Sequence, residues 1–366
     1  MSRALFALSA MSLVPTAAHA LCGPAKSVVQ TFSIVPCVGC VVNPSAHYAG
    51  RPTLAPGTTF QPHLVVYLPG GNSQPAASRE IVRTAAEQRF RAIGLSYANL
   101  TAATETDVCG PIVDEAISAA CYAEVHNRHA WGVNDTTIVP VTAANPTVGP
   151  GDSVNDRLVA ALNSLLVSDP GGSWGAFLDP TRTAVLYDKV IIVGWSFGAG
   201  LAGHLGTTTE LHAAVLIDGV KNRHRLSAGV FEPALMAPSY DAVTGEGTYG
   251  CRLWGVYNLD QNEVDMLRDQ WTALGMPEDT SWDGETVDGS STDTIGVAGL
   301  GDRRFYTDPY ACNTTPHESF TLDASMFKDI STCTVPPLVG AGAHDFQLKD
   351  LYSDILCQAT AETCTY

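Results

Sequence analysis

The pattern in this sequence with the clearest potential for chemistry is G-x-S-x-G at residues 194–198, with Ser196 at its centre. It follows residues 189–193, an apolar, β-branched run that predicts a short buried strand, and small residues typical of a helix start come next. A strand, a sharp turn and a helix can hold a nucleophilic serine at the tip of a strained turn. The positions two residues away must then lack bulk, as Gly194 and Gly198 do. An inert surface turn is the alternative, because turns favour Gly and Ser in any case.

A carboxylate and a histidine must accompany such a serine. The serine is a poor nucleophile until a base takes its proton, and the base is normally a histidine that a carboxylate orients. In a parallel sheet these groups lie in loops after the strands, in the chain order serine, acid, histidine. Asp260 follows the predicted strand at 253–257 by three residues and is the candidate acid, although it could also cap the next helix. Asp218, at the end of the predicted strand at 213–217, is the rival acid.

Two of the 10 histidines come late enough in the chain to serve as the base, and both lie in predicted loops. His344 precedes the predicted C-terminal helix. His317 lies 57 positions after Asp260, against 84 for His344, and Cys312 and Cys333 bracket it. A disulfide there would fix the loop of His317, and a base needs that rigidity because misplacement by about 1 Å can cost roughly 100-fold in rate. We therefore favour His317 and interpret the other histidines as packing or surface residues.

Backbone N–H groups are the expected donors to the negative charge that develops on a substrate carbonyl oxygen. Phe197, directly after the serine, should supply the first donor. The predicted strand at 63–68 breaks into a Pro-Gly-Gly loop at 69–71, and Gly71 should supply the second donor. A plain Pro-Gly turn is the alternative interpretation of this loop.

The elements that must position these groups follow an α/β pattern. A strand at 63–68, a helix at 78–87 and a strand at 90–97 predict a parallel sheet with right-handed crossovers. The remaining predicted strands are 28–35, 189–193, 213–217, 253–257 and 303–308, and the remaining predicted helices are 152–167, 262–274 and 347–356. The expected fold class is therefore α/β, with a mostly parallel, doubly wound sheet, loop insertions and disulfides.

A single domain is expected at 21–366, with three insertions. Residues 98–150 are expected to be loop-rich. Residues 219–250 are expected to be irregular and rich in Gly and Pro, and residues 276–302 to form an acidic surface segment.

The first 20 residues predict an export signal. Arg3 gives a positive start, residues 4–14 are apolar, and Ala18 and Ala20 form an A-x-A cleavage site. The apolar stretch is too short to span a bilayer, and no later segment is long enough. We therefore expect a secreted or periplasmic protein that is cleaved near Ala20 and has no membrane span.

Composition and charge disfavour several classes of protein. Apolar residues make up 45% of the chain and charged residues 16%, unlike a disordered protein. Without Arg3 the chain carries 19 basic and 37 acidic residues, a net charge of −18. Such a field disfavours nucleic acid and anionic surfaces as partners, and it favours neutral or apolar substrates over anionic polymers.

All 10 cysteines follow the predicted signal, and an even number in an exported chain predicts disulfides. Two pairs close together in the sequence are the expected bridges, Cys109–Cys121 and Cys357–Cys364. The other six cysteines admit 15 pairings, among which we favour Cys312–Cys333. Cys37 and Cys40 could instead form a redox or zinc pair. Because no second C-x-x-C and no H-x-x-x-H pattern accompanies them, disulfides are the favoured interpretation and no metal is expected.

From residue 69 to the C-terminus, about 300 residues, the chain resembles an α/β-hydrolase. More narrowly, it is similar to a little-characterised family of mostly secreted α/β-hydrolases. The similar stretches are HLVVYLPGG, AIGLSYANL with two cysteines after it, GWSFGAG, LWGVYNLDQNE with W-x-x-L-G after it, and RRFYTD with HESFTLD after it. GWSFG departs from the commoner G-H-S-x-G, although Trp before the serine also occurs in polyester-degrading hydrolases.

The resemblance implies Ser196 as nucleophile, Asp260 as acid and His317 as base, with no cofactor or metal. Together with the export signal, it implies a secreted serine hydrolase that acts on small-molecule or polymeric carboxylic esters. An amidase or peptidase on the same triad is one alternative. A catalytically silent hydrolase-fold protein used for binding is the other.

Overall fold

The computed structural model describes part of the chain. The described residues are 29–35, 43, 45–99, 105–134, 137–138, 148–149, 151–238, 240–241, 246–248, 252–258, 264–276, 304–307 and 348–361. The predicted export signal lies outside them, as do Asp260, His317 and His344. The described residues form an α/β structure, in which helices cover both faces of one mixed sheet.

The sheet is built largely from parallel strands. In chain order the strands are Val29–Ile34 (β1), His47–Pro52 (β2), Leu64–Leu68 (β3), Arg91–Gly94 (β4), Val190–Trp195 (β5), Ala213–Ile217 (β6), Arg223–Ser227 (β7), Val230–Pro233 (β8), Tyr240–Asp241 (β9), Glu246–Gly247 (β10), Leu253–Asn258 (β11) and Arg304–Thr307 (β12). Eight of them form the main sheet, in the order β1-β2-β4-β3-β5-β6-β11-β12. Only β2 runs against the rest of this sheet. The strands β7 and β8 form a separate hairpin, and β9 pairs with β10.

The three central strands β3, β5 and β6 are buried at every residue. Their sequences are nearly continuous apolar runs, as expected of parallel strands that helices cover on both faces. The register pairs Leu68 with Gly194 and Trp195 with Ile217. The carboxyl ends of the three strands therefore meet at one edge, and the loops that follow them lie side by side.

Two layers of helices enclose the sheet. The helices are Arg79–Glu87 (α1), Glu105–Cys109 (α2), Glu115–Trp131 (α3), Val154–Ser168 (α4), Phe197–Thr208 (α5), Val264–Ala273 (α6) and Leu348–Ala361 (α7). Apolar residues of α1 and α7 pack on one face of the sheet. Those of α3, α4, α5 and α6 pack on the other face. This two-sided burial agrees with the expected doubly wound α/β class.

Two expectations about the connecting segments are wrong. Residues 98–150 were expected to be loop-rich, yet their described part contains the 17-residue α3. The Asp114 side chain caps this helix by accepting a hydrogen bond from the Ile117 amide at 3.0 Å, and Gly132 ends it in the left-handed region. Residues 219–250 were expected to be irregular, yet they contain the hairpin β7–β8.

One predicted disulfide is confirmed. Cys109, the last residue of α2, is bonded to Cys121 within α3, so the bridge ties these two helices together. Cys357 is also disulfide-bonded, and its predicted partner Cys364 lies outside the described residues, as does the predicted Cys312–Cys333 pair. In the part of the chain that the structure describes, no helix is both long and apolar enough to cross a membrane.

Candidate active site

Ser196 occupies a strained turn between a strand and a helix. It directly follows β5 and precedes α5, with φ of 55° and ψ of −117°. For a residue with a Cβ such a backbone costs of order 1–3 kcal/mol and persists only where the surrounding structure enforces it. Here the Ser196 amide donates to the Ile217 carbonyl at 3.0 Å, and the Ser196 carbonyl accepts from the Ala199 amide at 2.9 Å. Ser196 is partly exposed, whereas its sequence neighbours are buried.

The glycines on either side of Ser196 have no room for a side chain. A Cβ on Gly194 would overlap the carbonyl oxygen of Gly198, and a Cβ on Gly198 would overlap the carbonyl oxygen of Leu68. The expectation that both positions must lack bulk is confirmed. The close approach also fixes the start of α5 against the ends of β3 and β5.

The loop after β3 runs directly past Ser196. A Cβ on Gly70 would lie 2.8 Å from the indole ring of Trp195 and 3.1 Å from the Ser196 Cβ. Gly71 is the next residue of this loop. Phe197 is the first residue of α5, where an amide has no acceptor within the helix. The structure therefore brings the loop of Gly71 and the amide-bearing helix start of Phe197 to the same place.

Side chains that follow β4 hold this loop. The Asn99 amide donates to the Gly70 carbonyl at 2.6 Å and to the Ser73 carbonyl at 2.8 Å. The Tyr97 hydroxyl donates to the Pro69 carbonyl at 2.6 Å. Both side chains are buried. The sequence analysis missed these positioning residues. The only signal for them in the sequence is that they follow β4, the strand that lies next to β3.

Asp218 is the described carboxylate that follows the strand beside Ser196. It is fully buried at the end of β6, with φ of 49°, and its amide donates to the Val256 carbonyl at 2.7 Å. Lys221 Nζ lies 3.6 Å from one of its carboxylate oxygens. A Cβ on the next residue, Gly219, would lie 2.8 Å from the Ser196 carbonyl oxygen. The structure therefore places Asp218 beside the turn of Ser196.

Another carboxylate of this region, Glu105, has a raised pKa. Burial raises the pKa of Glu105, the first residue of α2, to about 7, and the negative charge of Asp107 adds to the shift. Its own backbone hydrogen bond and the charge of Lys221 act in the opposite direction. Burial, with a contribution from Glu105, also raises the pKa of Tyr97. The sequence analysis did not single out Glu105, whose acidity depends on burial among residues distant in sequence.

Three histidines pack between α3 and the serine-bearing helix α5. The His129 ring meets the Phe197 ring edge-on, with centroids 4.9 Å apart, and His126 Nε2 would lie 2.9 Å from a Cβ on Gly200. Burial lowers the pKa of His129 and of His204 to about 4, and lowers the pKa of His126 well below 6.5. These side chains are therefore neutral near pH 7. The sequence analysis interpreted all three as packing or surface residues, and the structure gives them packing contacts.

The described part of the site contains a partly exposed serine, two neighbouring sources of backbone amides and a buried carboxylate at the next strand end. It contains no group of three His, Cys, Asp or Glu side chains placed to hold a metal ion. The predicted base, His317 or His344, and the predicted acid Asp260 fall outside the described residues. No protein-family model matches the sequence, and no curated protein matches it either.

Proposed function

We propose that this chain is a secreted serine hydrolase with the α/β-hydrolase fold and that it cleaves carboxylic esters. The observation that carries the proposal is the backbone of Ser196, with its left-handed φ in a strand-turn-helix context and glycine on both sides. The sheet supports the same assignment, because it is mostly parallel and has helices on both faces, as the sequence resemblance implies. Export is proposed from the N-terminal signal pattern and fits the buried disulfide.

In the proposed reaction, the Ser196 hydroxyl oxygen attacks the carbonyl carbon of the ester. His317 takes the hydroxyl proton and passes it to the departing alcohol, which leaves an acyl-serine. Water then attacks the acyl-serine and gives a proton to the same histidine, which passes it to the departing Ser196 oxygen as the carboxylic acid is released. The amides of Phe197 and Gly71 donate to the carbonyl oxygen while it carries negative charge in both steps.

Two carboxylates can orient the histidine, and each has its own support. The sequence resemblance and the chain order serine, acid, histidine support Asp260. The geometry of the described site supports Asp218, because Asp218 is buried at the end of the strand next to Ser196. Changing each to Asn separates them, because losing the acid of such a triad costs about 10⁴ in kcat. The other Asn variant should retain much more activity.

The ester-hydrolase proposal is tested with nitrophenyl esters of increasing acyl length. Ser196→Ala should lower turnover by on the order of 10⁴ or more while the circular dichroism spectrum stays the same. His317→Ala should match that loss, and His344→Ala should change activity by less than about tenfold. Full turnover by folded Ser196→Ala would refute the proposal. A reversed order of the two histidine variants would instead move the base to His344.

The preferred substrate is an uncharged ester. Net charge at pH 7 is −17, so anionic polymers would be repelled over the range of a Debye length, about 8 Å at physiological salt. Neutral small molecules and apolar polyesters avoid this repulsion. Comparing a neutral nitrophenyl ester with a carboxylated one of equal chain length tests this preference.

A further inference from the structure

A cleft of about 510 Å³ lies among α3, the hairpin β7–β8 and α6. Three carboxylate side chains from these three elements line it: Glu115, Glu232 and Asp269. None of the described residues that line the cleft is Lys or Arg. Its volume falls within the range of sites for small organic ligands. The cleft therefore gathers negative charge with no neutralising side chain on its described walls.

His224 adds a hydrogen-bond acceptor to the same cleft. Its side chain lines the cleft although only 5% of the residue is exposed, and Nδ1 lies 3.2 Å from the Val113 carbonyl oxygen. A carbonyl only accepts, so Nδ1 carries the proton of the neutral ring and Nε2 keeps a lone pair. Among the described residues, none forms a hydrogen bond with Nε2. This lone pair suits a ligand that donates from nitrogen.

The hairpin keeps its own basic residues away from the cleft. His224 lies opposite Glu232 in the β7–β8 ladder, and both line the cleft. Arg223 and Arg225 flank His224 along β7, and neither lines the cleft. The Arg223 guanidinium lies 4.3 Å from the centroid of the Phe231 ring.

The edge of the cleft is apolar. Leu235 lines the cleft and is 41% exposed, and Pro233 and Ala273 also contribute to its wall. A ligand that matches both parts of this surface carries a positive nitrogen on a short apolar chain.

We propose that this cleft binds organic ammonium groups, either as free alkylamines or as the side chain of a lysine in a peptide. The carboxylates accept hydrogen bonds from the ammonium, His224 Nε2 accepts another, and Leu235 contacts the apolar chain. The proposal does not rest on the proposed function, so Ser196→Ala should bind the ligand as well as the unaltered protein does.

The test measures binding of n-hexylammonium to the full chain by ligand-detected NMR, with n-hexanol as the neutral analogue. Saturable binding of n-hexylammonium and none of n-hexanol is expected. The double variant Glu232→Gln with Asp269→Asn should weaken binding at least about tenfold, because two charge-assisted hydrogen bonds are lost. Asp188→Asn removes an exposed carboxylate elsewhere and should leave binding unchanged. Thermal melts establish that each variant is folded.

A second arm distinguishes the two sources of the ammonium group. A capped Ala-Lys-Ala peptide is compared with the same peptide carrying norleucine in place of lysine. Tighter binding of the lysine peptide than of n-hexylammonium assigns the cleft to polypeptide ligands, and the reverse assigns it to free amines. Equal binding of n-hexanol and n-hexylammonium, or unchanged binding in the folded double variant, would overturn the proposal. So would a requirement for Mg²⁺ or Ca²⁺ in place of the amine.

Discussion

At the scale of single residues, Ser196 differs from Ser173, the other serine with a left-handed backbone in the described part of the chain. Ser173 has φ of 53°, close to the 55° of Ser196, but it is exposed and lies between two short 3₁₀ turns. Ser196 instead follows a buried strand and begins a buried helix. The backbone angle alone therefore does not mark a nucleophile, whereas the angle in this context supports one.

The residue types of the serine turn could be predicted because they depend on neighbours within a few positions. Gly194 and Gly198 approach each other across the turn itself, so the local pattern carries the constraint. Tyr97 and Asn99 could not be predicted in the same way. They hold carbonyls 28 and 29 residues earlier in the chain, and no local pattern encodes such a contact.

Gly70→Ala tests how closely the loop after β3 must approach the serine. The added Cβ would lie 2.8 Å from the buried Trp195 ring, so the loop has to move away. We expect a loss of about 1–3 kcal/mol in the free energy of unfolding. We also expect at least a tenfold lower kcat on a nitrophenyl ester, since donors of this kind act only at the right distance.

Gly149→Ala is the control for that change, because a Cβ there meets no atom within 4 Å. It should alter neither stability nor kcat by a measurable amount. If Gly70→Ala behaved like Gly149→Ala, the loop after β3 could not be part of the oxyanion site.

At the scale of elements, continuous apolar runs predicted the central strands, and β6 has the predicted bounds of 213–217. The helix α3 was missed because its buried side is partly polar. Its buried residues include Glu124, His126, Arg128 and His129 among the apolar ones, so the sequence shows no continuous apolar stripe at helical spacing. The capping residues Asp114 and Gly132 were the available signals for this helix.

Asn99→Ala tests the connection between the end of β4 and the loop after β3. The substitution removes the side-chain donor to the carbonyls of Gly70 and Ser73, which should cost about 1–3 kcal/mol of stability. Because the released loop carries Gly71, kcat should fall by at least about tenfold while KM changes less. Kinetics on a nitrophenyl ester, alongside urea unfolding, measures both effects.

Asn163→Ala is a matched control at a distance from the site. The Asn163 amide also donates to two carbonyls, those of Val159 and Arg182, both at 3.0 Å, but it lies on a partly exposed surface of α4. It should lower stability slightly and leave kcat unchanged. Equal kinetics for the Asn99 and Asn163 variants would show that the loop is not held in place for catalysis.

At the scale of the whole molecule, buried neutral histidines make the fold sensitive to acid. Burial is the largest cause of a lowered pKa at six of them: His47, His63, His126, His129, His204 and His212. The value falls to about 3 for His47 and His63 and to about 4 for His129 and His204. These positions lie in β2, directly before β3 and β6, and in the helices α3 and α5, so the effect belongs to the fold and not to one site.

The expected pH dependence follows from the direction of these pKa shifts. At these six histidines the unfolded chain takes up protons below the ordinary pKa of 6.5, whereas the folded chain takes them up only at lower pH, near 3 or 4 where the value is given above. The share of the free energy of unfolding that comes from keeping these histidines neutral is therefore fully present above pH 6.5. It is lost as the pH falls from 6.5 towards 4. Glu105 has a raised pKa, so its contribution to the free energy of unfolding increases as the pH falls from 7 to 4.5. This opposes the effect of the histidines, but it comes from one group against six.

Urea unfolding at pH 7, 6 and 5 measures this dependence. The free energy of unfolding should fall by several kcal/mol over this range, on the order of 2 kcal/mol for each histidine that stays neutral at pH 5. His204→Gln can keep the hydrogen bond with Asn127 and should remove one histidine's share of the change. Equal stability at pH 7 and pH 5 would mean that these histidines are not buried as neutral groups.

The most direct test of the central claim is covalent labelling of the full-length protein with a fluorophosphonate, read by intact mass and peptide mapping. Reaction requires a serine that is activated and accessible, so the experiment reports on the nucleophile without any assumption about the substrate. We predict one label per chain, on the peptide that contains Ser196. Ser173→Ala should be labelled fully and Ser196→Ala not at all, with both variants folded by circular dichroism. An unlabelled wild-type protein, or a label that persists in Ser196→Ala, would contradict the assignment of Ser196 as a catalytic nucleophile.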